Sequence, residues 1–575
     1  MGSKRRSVRT SIAVVSLMGL TLLVSCRSTV DRALFEYTGE EEFQGQVRGI
    51  LQRATDFLHP QPHTAPYAPV AHAGVHPLGI NVFLNQEVEE QKREYSLEMI
   101  ADAGFRWIRQ EFPWEDIEVH GKGDFADRRN DVDGDGEIDS IDAWAKYDNI
   151  VTLAESHHMD VIVRLSNPPA WTRQLTDTVG TYAPPDDLGD WGDFVYTTVD
   201  RYRGRVRYYQ LWNEPNVYPE WGEQPVDPEG YTKLLCEGYR RAKEADPEAV
   251  IISGALAPTV SLNPGPGPAT GMNDFLFLQR MYDAGAGACF DILSVNDYML
   301  WSGPTDRRLR PLNINFSRPI YIRDIMVANG DADKPIWIGE MNANAVPNDP
   351  AIADIGAYGQ VTLEEQARYA PLAYQRIQEE WPWAGVTSFW FFKRPDDSEQ
   401  NQSMYYFRMV EPDFTPLPVY GAVKAYAADL SPTLYAGMHQ EDHWALDYAG
   451  SWESIGGSAS ELASYRRATG EGSTIRFAFE GAELSLLPGP ATGEIAVDMD
   501  GEATRRVSLN GQPVNLLKGW REKRHEVTLT AAAGSFTVDA FIVRSPWRPS
   551  SGLVLTVVAA TLIVAWASIC VVRRR

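Results

Sequence analysis

The sequence predicts a (β/α)8 barrel followed by a small all-β sandwich domain, and three observations lead to this fold class. The chain has 575 residues, which is too long for one hydrophobic core. Its middle part alternates short apolar, β-branched runs with longer amphipathic stretches. After about Met438, closely spaced strand patterns broken by glycine and proline replace this alternation. We therefore expect a barrel over residues 78–428 and a β-sandwich over residues 438–545.

The barrel prediction depends on eight short runs that suit buried parallel strands. Runs such as VIVRL, VIISG and DILSV are apolar enough for strands that helices cover. Stretches between them, such as Glu364 to Glu380, have the apolar spacing of surface helices. Eight such units over roughly 350 residues fit a barrel, whereas a doubly wound sheet would need a glycine-rich phosphate loop after its first strand. The predicted strands are Gly79–Phe83, Phe105–Arg109, Asp160–Leu165, Tyr208–Trp212, Val250–Gly254, Asp291–Val295, Pro335–Gly339 and Thr387–Phe391.

Both ends of the chain carry apolar segments next to basic residues. Basic residues between Lys4 and Arg9 precede an uncharged run that ends at Cys26, so residues 1–26 are typical of an export signal. The ending LVSC resembles a bacterial lipobox, which implies lipidation of Cys26; an uncleaved signal anchor is the alternative. Residues 552–572 carry no charge and precede three arginines. As a helix this run would rise about 31 Å, enough to cross a bilayer with the arginines on the cytoplasmic side.

These two segments predict a protein of the cell membrane whose middle part lies on the extracytoplasmic side. Residues 27–77 would form a stalk with a short amphipathic helix over Gln44–Phe57 and a proline-rich linker from His59 to Pro77. Because proline at this density favours extended chain, we expect the linker to be solvated and to space the barrel from the membrane.

Composition excludes some partners and suggests others. The formal net charge of −25 argues against nucleic acid, because no basic face could dominate the field. The chain has 17 tryptophans, whose flat rings can pack in cores or stack on sugars.

Only Cys236 and Cys289 lie outside the terminal segments. Two cysteines form neither a disulfide framework nor a metal-ligand pattern, so we expect two buried free thiols.

Two carboxylates directly follow predicted strands of the barrel. The fourth strand leads into Asn213 and Glu214, and the seventh leads into Glu340. Because the carboxyl ends of all barrel strands meet at one face, these side chains can point at one centre. Acetal cleavage needs a carboxylic acid that protonates the leaving oxygen and a carboxylate below the sugar ring. The alternative for both glutamates is a surface salt bridge at the start of a loop.

The motif LWNEPN, followed later by IGE, resembles the clan of retaining (β/α)8-barrel glycoside hydrolases and is most similar to families 39 and 5. The resemblance covers residues 78–428. It implies that Glu214 is the general acid/base and Glu340 the nucleophile of a double displacement on β-linked sugars. That mechanism needs no cofactor and requires carboxyl groups about 5–5.5 Å apart.

The resemblance also implies roles for residues around this pair. Asn213 would hydrogen-bond the 2-hydroxyl of the substrate, a contact that strengthens in the transition state. Arg109, which ends the second predicted strand, and Tyr298, which follows the sixth, would hydrogen-bond the nucleophile. These partners would keep Glu340 ionised, whereas apolar surroundings would keep Glu214 protonated at rest.

Four further residues are candidates for substrate contact. Trp390, at the end of the eighth predicted strand, matches the aromatic floor beneath the reacting sugar in the clan. Asn296 stands where many relatives carry histidine, so the sugar contacts at this strand should differ. Trp171 and Trp301 lie in the loops after the third and sixth predicted strands, where we expect either subsite roles or core packing.

An acidic loop follows the second predicted strand. Its oxygen-bearing side chains stand at positions one, three, five, seven, nine and twelve, with glycine at position six, which is the spacing of a calcium-binding loop. The ending with aspartate resembles the calcium loop of dockerin modules, and one copy is present. We expect a structural calcium ion; an acidic surface turn is the alternative. The predicted ligands are Asp131, Asp133, Asp135, Glu137, Asp139 and Asp142.

Together these features predict a retaining glycoside hydrolase at the outer face of the membrane, with an oligosaccharide or polysaccharide as its substrate. One alternative is an inactive cell-surface protein that binds carbohydrate or mediates adhesion. The intact set of Glu214, Glu340, Asn213, Arg109 and Tyr298 favours an enzyme, because binding alone needs no such set. A transglycosylase, which transfers the sugar to another sugar, would use the same residues.

Overall fold

The computed structural model describes residues 34–545, apart from residues 36, 57–58, 132–134, 176, 458–460, 463 and 491. Eight parallel strands follow one another around a closed barrel. Backbone bridges from Ile252 to Ile292 and from Leu256 to Val295 join the fifth strand to the sixth and close the ring. The predicted barrel is therefore confirmed. Its strands are β1 (Leu78–Val82), β2 (Trp107–Pro113), β3 (Asp160–Ser166), β4 (Tyr208–Asn213), β5 (Val250–Ala255), β6 (Leu293–Asn296), β7 (Ile336–Met341) and β8 (Ala384–Phe389).

Helices surround the barrel, and several of them begin at side-chain caps that the sequence supplies. The helix over Leu188–Arg201 begins at Asp187, whose carboxylate accepts from the Gly189 N–H. The helix over Leu363–Glu380 begins with a capping box of Thr362 and Glu365. The helices are α1 (Phe43–Asp56), α2 (Glu90–Asp102), α3 (Trp114–Ile117), α4 (Ala145–Ser156), α5 (Leu188–Arg201), α6 (Pro228–Ala245), α7 (Asp274–Asp283), α8 (Arg318–Ala328), α9 (Leu363–Glu380) and α10 (Pro418–Asp429).

Aromatic side chains fill the lower end of the barrel, where the strands begin. Tyr208 packs against Trp107 and Trp337, with ring centroids 5.0 and 5.1 Å apart. The two indoles are themselves 5.2 Å apart, and all three side chains are buried. A barrel interior packed at this end leaves the opposite end, where the strands finish, available for a site.

The segment before the first strand is packed against the protein, so the prediction of a solvated proline-rich linker is wrong. The backbone carbonyl of His72 accepts a hydrogen bond of 2.9 Å from the Trp337 indole. The Ala71 N–H donates to the Asp333 carbonyl, and the Gly74 carbonyl accepts from the Trp444 N–H. The segment turns at residues 66–68 and 71–72 instead of being extended throughout, and its carbonyls bond to the barrel and to the C-terminal region.

The predicted amphipathic helix is present as α1, and it also contacts the barrel domain. Asp56 accepts a hydrogen bond of 3.2 Å from the Leu309 N–H, and Gln52 accepts one of 3.1 Å from Arg310. Both partners belong to the loop between β6 and α8. The described part of residues 27–77 is therefore folded onto the barrel domain and does not extend away from it as a stalk.

The last part of the chain is an all-β region with its own hydrophobic core. Its strands are β9 (Thr433–Leu434), β10 (Gly437–Gln440), β11 (Asp447–Ala449), β12 (Trp452–Gly456), β13 (Ser464–Ala468), β14 (Thr474–Leu487), β15 (Gly493–Met499), β16 (Arg505–Leu509), β17 (Val514–Gly534), β18 (Thr537–Val538) and β19 (Ala540–Arg544). The large sheet has the order β10-β19-β14-β17-β15-β16, and β9 and β11 pair with β14. The small sheet has the order β12-β13-β18. Side chains of both sheets, such as Phe479 and Val538, share one core.

Cys236 and Cys289 form a disulfide, so the prediction of two free thiols is wrong. Cys236 lies on α6, and Cys289 precedes β6. Consecutive βα units are neighbours in a barrel, which brings the two Cα atoms to 4.8 Å although 53 positions separate them in sequence. A bridge of this kind suits an oxidising compartment.

Within residues 34–545, where the structure describes the chain, no helix has the length and apolar character needed to cross a membrane. The predicted export signal with Cys26 and the predicted span at residues 552–572 lie outside the described residues.

Removing the disulfide should destabilise the barrel. Replacing both cysteines by serine should lower the free energy of unfolding by roughly 2–4 kcal/mol, because the bridge restricts the unfolded chain. Urea unfolding of the wild type and of the Cys236→Ser/Cys289→Ser variant measures the difference. Reductant should weaken the wild type and leave the double variant unchanged. Equal stability of the two proteins would show that the bridge contributes nothing.

Candidate active site

The chain bends sharply at the end of β4, where the predicted acid/base lies. Trp212 and Glu214 have φ values of 83° and 39°, in the left-handed region that side chains other than glycine rarely adopt. The Glu214 N–H donates to the Ala255 carbonyl at the end of β5 (2.9 Å), and Asn216 bonds the Ala257 carbonyl. Contacts with the neighbouring strand thus hold a strained turn, as is frequent at functional sites.

Glu340, the predicted nucleophile, is buried and both of its carboxylate oxygens are bonded. Arg109 donates to Oε1 with a distance of 3.0 Å, and the Tyr298 hydroxyl donates to Oε2. Only 3% of Glu340 is exposed. Burial, followed by the charge of Glu340, raises the pKa of Tyr298 well above its usual value, so its hydroxyl keeps the proton that it donates. The structure thus places the two predicted partners on the predicted nucleophile.

Arg109 is the centre of the hydrogen bonds at this end of the barrel. Besides Glu340, it donates to Asn81 on β1 (2.7 Å) and to two residues on β4, Gln210 (2.6 Å) and Asn213 (2.8 Å). Sequence reasoning missed Asn81 and Gln210. Each of them is a polar residue within an otherwise apolar buried strand, and its burial requires a hydrogen-bond partner on another strand. This pattern was the sequence signal for their place in the site.

Glu214 accepts a hydrogen bond of 2.6 Å from the amide of Asn296 at the end of β6. Asn296 is also the register partner of Glu340 on the adjacent strand β7. One asparagine therefore stands beside both predicted catalytic glutamates. The side chain of Asn296 thus donates to the predicted acid/base.

The surroundings of Glu214 favour its protonated form. Burial, and after it the negative charges of Glu340 and Glu220, raise the pKa of Glu214 to about 8. The hydrogen bond from Asn296 and the charge of Arg109 act in the opposite direction and are smaller effects. Glu214 therefore carries a proton at neutral pH, which is the state that a general acid needs.

A third carboxyl group, Glu220, belongs to the site and was not predicted. Burial raises its pKa to about 7, and the charge of Arg164 partly opposes this rise. Its carboxylate accepts a hydrogen bond from the Asn213 side chain, and its carbonyl accepts one of 2.6 Å from the Trp212 indole. Glu220 lies in the loop after Glu214, and nothing in its sequence spacing indicates that the loop returns to the strand end.

Arg164 on β3 forms an ion pair with Glu111, its register partner on β2, with an N–O distance of 2.5 Å. Burial lowers the pKa of Arg164, but the charges of Glu111, Glu220 and Glu340 outweigh this effect and raise it. The upper end of the barrel thus holds four glutamates around two arginines. This excess of carboxylates adds to the effect of burial and raises the pKa of Glu214 and of Glu220 further.

Trp390 lies in a group of aromatic side chains beside the pair of glutamates. Its ring meets the ring of Phe83 edge to face at 5.7 Å. It packs with Tyr358 against the small core formed by Tyr298, Phe391 and Phe407. Because Trp390 stays partly exposed, its ring suits the sugar-floor role that the resemblance implies, which stays a prediction.

The other two candidate tryptophans have different surroundings. The indole N–H of Trp171 donates to the Glu118 carbonyl at 2.8 Å, and its ring packs edge to face on Trp114. These contacts are those of a side chain that holds the loop together. Trp301 is 63% exposed and lies near Gly356, and its subsite role stays a prediction.

The acidic loop is closed by a short strand pair, in which Ala126–Asp127 pairs with Ile141–Asp142. Asp131 accepts from the Gly136 N–H at 2.9 Å, across the predicted calcium loop, and Asp142 accepts from the Trp144 N–H at 3.0 Å. Asp133 lies outside the described residues. In the described part of the chain, no cluster of three or more His, Cys, Asp or Glu residues is arranged to hold a metal ion.

No family model and no curated protein matches this chain. Solved structures do resemble it. A family 39 glycoside hydrolase from Bacteroides cellulosilyticus WH2 has 18% identity and a TM-score of 0.45, with 79% of this chain and 80% of that chain covered. The GH39 enzyme from Xanthomonas axonopodis pv. citri has 14% identity and a TM-score of 0.42, with 83% and 99% covered.

Xylanase 10B from Thermotoga maritima is also similar, with 17% identity, a TM-score of 0.39, and coverage of 61% of this chain and 94% of that chain. These overall similarities are low, and the barrel assignment depends on the strand pairing described above. Two of these structures are enzymes of glycoside hydrolase family 39, one of the two families that the sequence motifs resemble.

Proposed function

We propose that this protein is a retaining glycoside hydrolase that cleaves β-linked bonds in an oligosaccharide or polysaccharide. One observation carries the proposal: Glu214, with a pKa raised to about 8, and Glu340, whose two oxygens are bonded by Arg109 and Tyr298, stand on either side of Asn296. One protonated and one bonded carboxyl group are the two reagents of double displacement. A protein that only binds sugar needs neither the buried Arg109 contacts nor the raised pKa.

In the first step, a carboxylate oxygen of Glu340 forms a bond to the anomeric carbon while the glycosidic bond breaks. Glu214 gives its proton to the departing oxygen. In the second step, Glu214, now a carboxylate, takes a proton from water, and the water oxygen displaces Glu340 from the sugar. Two inversions at one carbon retain its configuration. Asn213, oriented by Arg109 and Glu220, would bond the 2-hydroxyl in both transition states.

Variants of the two glutamates should separate their roles. Glu340→Gln should abolish turnover of every substrate, because no covalent intermediate can form. Glu214→Ala should slow cleavage of unactivated glycosides roughly 10²–10⁴-fold and affect dinitrophenyl glycosides much less, since their leaving group needs no proton. The matched control, Glu223→Gln in the same loop, should keep wild-type rates. NMR of the first product should show the β-anomer; the α-anomer would exclude double displacement.

The pH dependence should report the proton on Glu214. Because the acid must be protonated and its pKa is raised to about 8, kcat/KM should fall as pH rises through that value. Asn296→Ala removes a hydrogen bond that favours the carboxylate form, so it should move this fall to higher pH. Glu214→Ala should remove the fall. An unchanged alkaline limb in Glu214→Ala would mean that another group titrates there.

We also propose that the terminal segments hold the protein to the cell membrane with its barrel on the extracytoplasmic side. The support is the basic and apolar run up to Cys26 and the uncharged run at residues 552–572 with three arginines after it.

Deleting everything after Trp547 should weaken membrane attachment, and adding Cys26→Ser to the deletion should abolish it. The measurement is the fraction of protein that stays in the membrane pellet after a carbonate wash. Cys26→Ser alone serves as the control and should remain attached through the C-terminal run. Full release of the untruncated wild type in the wash would contradict the proposal.

We propose a structural calcium ion in the acidic loop. Its support is the ligand spacing and the bond from Gly136 to Asp131, which folds the loop back on its first aspartate. Without a cation, the carboxylates of such a loop repel one another. The ion would stiffen a loop at the catalytic end of the barrel and take no part in the chemistry.

Calcium should therefore raise the melting temperature. At about 100 times its dissociation constant it should add roughly 2.7 kcal/mol of stability. Asp133→Ala/Asp135→Ala should abolish the response, and the control Asp429→Ala, on an exposed position of α10, should keep it. If chelator leaves the melting curve of the wild type unchanged, the loop is only an acidic turn.

A further inference from the structure

The register between the long strands β14 and β17 of the all-β region shifts at two points, and the larger shift lies at Ala482. Gly481 pairs with Lys523 and Glu483 pairs with Lys518, so Ala482 alone stands opposite the four residues 519–522. This wide bulge removes Trp520 from the regular ladder, and its side chain is 76% exposed. Bulges that redirect side chains are frequent next to binding sites. The stability of the sheet gives no reason to expose so large an apolar ring.

The bulge forms one wall of a groove with a cavity volume of about 450 Å³. Val497, Met499 and Leu516 give the groove an apolar lining, and β15, β16 and β17 all contribute to it. This volume lies in the range of sites that hold small ligands or a few units of a polymer. A groove with an apolar floor and an exposed indole at its edge suits a ligand with flat apolar faces, and the sugar ring is such a ligand.

Cations dominate the polar lining of this groove. The lining contains four of them, on strands β16 and β17, and two carboxylates, Asp500 and Glu502. Asp500 is already bonded to His525 at 2.8 Å and to Lys523 at 3.4 Å. Arg521 lies over the Trp520 ring, with its guanidinium carbon 4.3 Å from the centroid. A local excess of positive charge in a chain of net charge −25 selects an anionic ligand. The four cations are Arg505, Lys518, Arg521 and Lys523.

We propose that this groove binds a strand of an anionic polysaccharide. The open face of Trp520 stacks on a sugar ring, and Lys518, Arg521 and Arg505 bond its carboxylate or sulfate groups. The recess is concave, which suits a polymer strand better than the flat surface of a bilayer. The site lies outside the barrel, needs no turnover, and does not depend on the proposed hydrolysis. It would keep the protein on an acidic polymer.

Affinity electrophoresis tests this site with the full-length chain in nonionic detergent. The Glu340→Gln background prevents degradation of the polymer and makes the result independent of catalysis. Gels containing polygalacturonate should retard this protein, and salt should reduce the retardation. Trp520→Ala and, separately, Lys518→Glu/Arg521→Glu should weaken binding about tenfold or more. The matched control is Arg506→Ala. Arg506 is the next cation on β16, but its side chain pairs with Glu494 instead of lining the groove. This variant should bind the polymer like the parent.

The outcomes decide the proposal. Equal retardation by neutral xylan, no retardation by either polymer, or unchanged binding of both groove variants would overturn it. The protein could instead bind micelles doped with phosphatidylglycerol, lose this binding in Trp520→Ala, and show no retardation by polygalacturonate. That result would make the bulge a membrane contact and would also overturn the proposal. Melting curves equal to that of the parent confirm that the variants fold. If Trp520→Ala does not fold, Lys518→Glu/Arg521→Glu still tests the site. In the wild-type background, Trp520→Ala should hydrolyse small aryl glycosides at the unchanged rate.

Discussion

The buried charge of Arg109 is the constraint on which the upper end of the barrel depends. A guanidinium that is 3% exposed is costly unless every donor finds a partner. Its partners come from three other places around the ring: Asn81 on β1, Gln210 and Asn213 on β4, and Glu340 on β7. Closing the barrel is therefore also what neutralises this charge. The same closure orients the residues proposed to hold and attack the sugar.

The same buried environment gives two nearby glutamates different properties. Glu340 receives hydrogen bonds from Arg109 and Tyr298, whereas burial and neighbouring carboxylates raise the pKa of Glu214. Glu220 extends this arrangement, because burial, and after it the charges of Glu111 and Glu340, raise its pKa as well. The acid and the nucleophile of the proposed reaction thus follow from the burial of Glu214 and from the bonds of Arg109 and Tyr298 to Glu340, and not from any difference between glutamate side chains.

The barrel divides stability and chemistry between its two ends. The rings of Trp107, Tyr208 and Trp337 fill the lower end, and the segment before β1 covers it through the bond from Trp337 to the His72 carbonyl. The strained turn at Glu214 lies at the other end. A site with strained backbone and buried charge is costly, and the packed lower end supplies stability that can offset it.

The sequence by itself determined the features that depend on local pattern. Apolar runs of strand length, separated by amphipathic helices, identified all eight barrel strands, because burial of a parallel strand is visible in consecutive residues. The motifs at two strand ends predicted Glu214 and Glu340 as a catalytic pair, and the resemblance predicted Arg109, Asn213 and Tyr298 beside it; their catalytic roles stay predictions. Only the tertiary structure decided which distant residues meet. Glu220 enters the site because a loop folds back, Cys236 reaches Cys289 because neighbouring βα units pack side by side, and the proline-rich segment finds partners on the lower end of the barrel. Such contacts depend on how loops and layers close in space, and sequence spacing alone does not contain that information.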